Sequence, residues 1–91
     1  MIISTGDLKE NYSIIDTIFA IDSHKDGFFS GADPNKAFEG LKSQLAKKCQ
    51  SLGGDAVINC QFEYRDALAD GLTKKKHAIE IFGYGTAVKL N

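Results

Sequence analysis

The chain has 91 residues, 43% of them hydrophobic and 25% charged, with 11 basic side chains against 12 acidic ones. This length supplies one hydrophobic core, so the whole of residues 1–91 is read as a single domain. The composition excludes a disordered chain, and a net charge of −1 excludes a surface built to neutralise nucleic-acid phosphates.

The N-terminal stretch MIISTGDLKE has no basic segment followed by a long apolar one, and no run approaches the ~18 apolar residues of a membrane span. A cytoplasmic protein without membrane contact is therefore expected. In such a reducing compartment structural disulfides are rare, so Cys49 and Cys60 are read as free thiols. Met1 to Ser4 is β-prone, and Gly6-Asp7 marks a turn after it. From Tyr12 to Ile21 a second strand is apolar on both faces, with Ile14, Ile18 and Ala20 on one side and Ile15, Phe19 and Ile21 on the other. A domain this small buries one strand face against its own helix, so the other face needs a second layer or a second subunit.

Asp22 to Asp33 reads as a polar loop. Its Asp22-Ser23-His24-Lys25-Asp26-Gly27 run imitates a calcium-loop spacing, but His24 stands at an oxygen-ligand position and no helix precedes it. Asp33-Pro34 is a helix start, because Asp caps free N–H groups and Pro suits the first helical position. Phe38, Leu41, Leu45, Cys49 and Leu52 then recur at helical spacing, and Gly53-Gly54 stops a helix of about Pro34 to Leu52. Ala56, Ile58, Cys60, Phe62 and Tyr64 alternate with polar residues and predict a half-buried strand. A hairpin connection over Asp66 to Thr73, containing Asp70-Gly71, leads into a last strand from about Lys76 to Leu90. Gly83 and Gly85 inside that strand predict a bend, since glycines there mark a bulge or a close backbone approach.

Nothing in the chain resembles a nucleophile elbow, an activated serine or a Cys-His-Asn set, so no enzymatic activity is expected. Cys60, His77, Cys49 and His24 are the soft or borderline metal ligands besides Met1, and none has CxxC or HxxxH spacing. One Cys60 or His77 per chain, repeated around a symmetry axis, is what would add up to a site. The metal candidates are accordingly Cys60 and His77, and the cofactor they suit is a soft heavy-metal ion. Packing is the competing role for both cysteines, and surface polarity for His77.

In Gly53-Gly54-Asp55-Ala56-Val57-Ile58, in Tyr64 and in Gly85-Thr86-Ala87-Val88 the chain resembles the YbjQ-like family, whose description is heavy-metal binding. Gly54 stands where the family motif carries alanine, and Asn59-Cys60 replaces a commoner glycine-containing pair. The resemblance implies an α+β subunit like that of dodecin, a curved antiparallel sheet packed on one long helix. It further implies a ring-forming homo-oligomer, a pentamer, whose partner is itself. Two functions follow as expectations: an oligomer binding a soft metal or metalloid through Cys60 near subunit contacts, or a scaffold that uses inter-subunit clefts lined by Tyr64, Phe82 and Tyr84.

Overall fold

The computed structural model describes residues 1–25, 34–70 and 75–91, with side chains over 1–22, 35–65 and 80–91. Among these residues the order is β1 (Ile2–Ile3), β2 (Tyr12–Lys25), α1 (Pro34–Ser51), β3 (Ala56–Asp70) and β4 (Lys75–Leu90). They form a sheet of order β1-β3-β4-β2 with the helix on one face. The expected α+β class holds. The sheet is mixed, however: β4 is antiparallel to β2 and β3, whereas β1 runs parallel to β3. Parallel neighbours need a long crossover, and β2 with α1 supplies it between β1 and β3.

Helix α1 begins at Pro34, as expected; Asp33 and the imitation calcium loop from Asp26 onward lie outside the described residues. Its buried stripe is Ala37, Leu41, Leu45 and Cys49. Phe38 and Leu52 lie off that stripe and are exposed, Leu52 because the helix has already ended at Ser51. The stop is a Schellman motif: Gly53 has φ 78°, its N–H donates to the Gln50 carbonyl, and the Gly54 N–H donates to the Cys49 carbonyl at 2.9 Å. An L side chain at Gly53 would be strained in this left-handed conformation.

Two bulges decide which side chains face the helix. In β2 the register against β4 shifts between Ile14 and Asp16, so Ile15 turns inward with Ile18 and Ala20. Ile14 turns outward with Phe19 and Ile21. The strict alternation expected for this strand therefore exchanges Ile14 and Ile15. In β3 the register shifts between Ile58 and Gln61, around Asn59 at φ 53°. Before the bulge Val57 faces the helix, while Ala56 and Ile58 join Val88 on the opposite face under Leu8 and Tyr12. After it Cys60 and Phe62 face the helix. The expected single apolar face from Ala56 to Tyr64 is thus two faces. An αL residue is what glycine adopts without cost and Asn tolerates best among other residues, which accounts for Asn59 here.

Gly83 and Gly85 mark a close approach, and β4 runs unbroken through both. A methyl group at Gly85 would lie 2.7 Å from Cys60 Sγ and 2.8 Å from Val57 Cγ1. Gly54 answers the same need. A methyl group there would lie 2.5 Å from Cys49 Sγ, so alanine at position 54 would crowd the cysteine at position 49. Gly54→Ala should therefore lower stability by about 1–3 kcal/mol, and Cys49→Ala in the same chain should recover part of that loss. Urea denaturation of the two single variants and the double variant checks this; strictly additive losses would show that the two positions do not compete for space.

The strands are longer than expected. β2 continues to Lys25, β3 to Asp70, and β4 starts at Lys75, while the hairpin turn itself lies outside the described residues. The extents are 54 × 21 × 18 Å, and the radius of gyration of 15.6 Å exceeds the roughly 12 Å of a compact domain this size. An 18-residue helix reaches only about 27 Å, so the sheet runs well past the layer that covers it.

Candidate functional site

Cys60 follows directly on the β3 bulge. The Asn59 N–H donates to the Gly6 carbonyl and the Cys60 N–H to the Ser4 carbonyl, so the chain beyond β1 seals the bulge from the edge. The Cys60 side chain lies in the main core with 1% of its surface exposed, its sulfur over Gly85. Burial pushes the thiol above its ordinary pKa, opposed in part by a backbone hydrogen bond from Ser4. Cys49 is fully buried, its thiol directed at the Ala56 carbonyl at 3.4 Å, and burial raises its pKa as well. Both are free cysteines. A neutral thiol is a poor ligand and a poor nucleophile, because the thiolate does both kinds of chemistry.

The second metal candidate sits elsewhere. Cys60 lies level with Gly85, between the pairs Ile58–Thr86 and Gln61–Tyr84, whereas His77 pairs with Leu68 in the register. His77 precedes Gly85 by eight positions of β4, which at roughly 3.3 Å per residue is about 26 Å along the strand. One chain therefore does not bring Cys60 and His77 together; the His77 side chain lies outside the described residues. Among the described residues no group of three or more His, Cys, Asp or Glu side chains converges as a metal site would require.

A concave site does form, past the first turns of the helix. Phe38, Phe62, Tyr64 and Ile81, with Glu63 beside them, line a cleft of about 130 Å³. Phe38 is placed by α1 and Phe62 by β3, and their rings meet at 4.8 Å between centroids with a 41° tilt. Ile81 is the buried floor, and Tyr64 stands at the exposed rim. The bulge creates this arrangement, because only the register after Asn59 turns Phe62 towards the helix. Tyr64, Phe82 and Tyr84, expected to line clefts between subunits, lie on two faces of the sheet within one chain: Tyr64 pairs with Ile81, on the helix face, while Phe82 and Tyr84 alternate to the other. Phe38 was missed as a lining residue because helical spacing assigns it to the core stripe.

That opposite face carries exposed apolar side chains among the described residues. Phe19 pairs with Tyr84 and Ile21 with Phe82, and Phe19, Ile21 and Tyr84 keep 70%, 55% and 50% of their surface exposed.

A model of the YbjQ family, whose description reads "Putative heavy-metal-binding", matches residues 35–91. The chain belongs to this family. No curated protein matches it significantly. A solved structure from Pediococcus pentosaceus, of a protein of unknown function described as a member of the DUF74 family, superposes with a TM-score of 0.73 at 24% identity. The match covers 100% of this chain and 98% of that one, so the shared fold extends over the N-terminal part that the family match leaves out. No helix among the described residues is long and apolar enough to cross a membrane.

Proposed function

We propose that this chain is the subunit of a homo-oligomeric binding protein, a ring of five as the resemblance implies, that holds a small apolar or aromatic ligand in the Phe38–Phe62–Tyr64–Ile81 cleft. The observation that carries the reading is a contrast: the open concave surface is aromatic, whereas both thiols are sealed in the core. A cavity of about 130 Å³ suits a single ring, since apolar cavities near 150 Å³ take up benzene. Stacking on the Phe62 and Tyr64 rings would orient a flat ligand.

The family description favours a second reading, in which Cys60 holds a soft metal at a subunit contact. For that, Cys60 must be uncovered and deprotonated, and the Ser4–Gly6 segment that bonds its strand is the element that would have to part.

One preparation separates the two. Untagged protein is analysed for bound metals and titrated with the apolar dye anilinonaphthalene sulfonate, alongside Tyr64→Ala, Phe62→Ala and Cys60→Ala. We expect metal well below one ion per chain in all four proteins, and dye affinity about tenfold weaker for Phe62→Ala and Tyr64→Ala. Tyr64 is exposed, so its variant folds even where Phe62→Ala disturbs the core. A stoichiometric metal lost in Cys60→Ala would overturn this reading in favour of the second.

A further inference from the structure

Strand β2 is the outer strand of the sheet, and β4 is its partner along its whole length. An outer strand presents every second residue's N–H and C=O away from the sheet, as a template for another strand. Here side chains of the same chain occupy one such group at each of three positions. Nε2 of Gln44 donates to the Ile21 carbonyl at 3.0 Å, and Nζ of Lys48 donates to the Phe19 carbonyl. The Thr17 N–H donates to the Asp16 carboxylate at 2.8 Å. Positions 17, 19 and 21 are alternate residues, so three successive outward-facing positions each have a group taken. The bulge at Ile15 closes the series on the N-terminal side by twisting the strand out of register.

The placement on the helix follows from its period. Gln44 and Lys48 are four residues apart, hence stacked on one flank of α1, beside the Leu41–Leu45 stripe that packs on the sheet. That flank overhangs β2. The Lys48 ammonium also lies 5.2 Å from the centre of the Phe19 ring, which holds the long side chain across the edge.

We propose that Asp16, Gln44 and Lys48 form a latch that closes the outer edge of β2 from Ile15 to Ile21 against strand addition. A second copy of this chain then joins by side-chain packing on the Phe19–Ile21–Tyr84 face and not by extending the sheet at β2. This inference is independent of what the aromatic cleft binds.

The test compares Gln44→Ala/Lys48→Ala with Lys47→Ala/Gln50→Ala, which makes the same change of composition at two exposed helix positions. At matched concentration the latch variant should aggregate into thioflavin-positive species with a lag at least about threefold shorter than the wild type, and the control variant should match the wild type. If the latch variant also melts at a lower temperature, the comparison passes to Lys48→Met and Lys47→Met, since Met keeps an apolar stem over Phe19 and removes the donor. Equal lag times in both members of a pair would overturn the latch.

Discussion

Leu45→Asp should leave no folded, assembled protein. Leu45 sits at the centre of the helix stripe with none of its surface exposed, in one cluster with Leu41, Cys49, Val57 and Ala87. Truncating such a side chain alone costs about 2–5 kcal/mol through lost contacts and the cavity left behind. Aspartate adds the desolvation of a carboxylate. Among the described residues no buried charged group lies nearby to pair with it, and the cluster offers only apolar walls. Domains of this size have a total stability of the same order, about 5–15 kcal/mol. Circular dichroism and gel filtration should show loss of the melting transition and of the native elution position. An unchanged melting temperature would mean that the helix does not pack as described.

The second large effect concerns assembly. A 91-residue chain has little core to spare, and the structure leaves Ile14, Phe19, Ile21 and Tyr84 each at least half exposed on the sheet face away from the helix. Leu8 and Tyr12 cover the Ala56–Ile58–Val88 end of that face and stop short of the rest. Covering roughly 300 Å² of this surface per chain would contribute on the order of 7 kcal/mol, comparable with the folding stability of the subunit. The oligomer is therefore expected to be obligate, with no folded monomer on dilution. Light scattering at micromolar concentration should give about five times the 9.9 kDa of one chain. Phe19→Lys with Ile21→Lys should abolish that mass, because two like charges on one strand face, beside the Lys48 ammonium, would be buried on association. A folded, monodisperse wild-type monomer would overturn the assembly and leave the exposed face without the role given to it.

Several sites were visible in the sequence only as residue types. Cys60 was singled out for its soft sulfur, yet spacing alone gave no sign that the bulge would carry it into the core over Gly85. Phe62 and Tyr64 were legible as a strand face, but their partner Phe38 comes from a helix whose position on the sheet is a tertiary matter. Gln44 lies off the apolar stripe and Lys48 suits the negative end of the helix dipole, and nothing local records that their flank overhangs an outer strand. His77 shows the opposite limit, since its distance from Cys60 follows from register, which only the pairing of β3 with β4 sets.

What the sequence by itself determined is what local physics controls. The Pro34 start, the Leu41–Leu45–Cys49 stripe and the Gly53-Gly54 stop specify the helix through its own backbone and capping needs, and the β-branched runs specify the strands. The two residues that reverse the strand faces, Ile15 and Asn59, carry no such local signature strong enough to override a clean alternation. The tertiary structure decided them: a bulge is stable only where the neighbouring strand accepts the shifted register and the helix receives the side chains turned towards it. For Asn59 the same condition includes the Ser4 and Gly6 carbonyls, which lie more than fifty positions away in the chain and take up the N–H groups that the bulge turns outward.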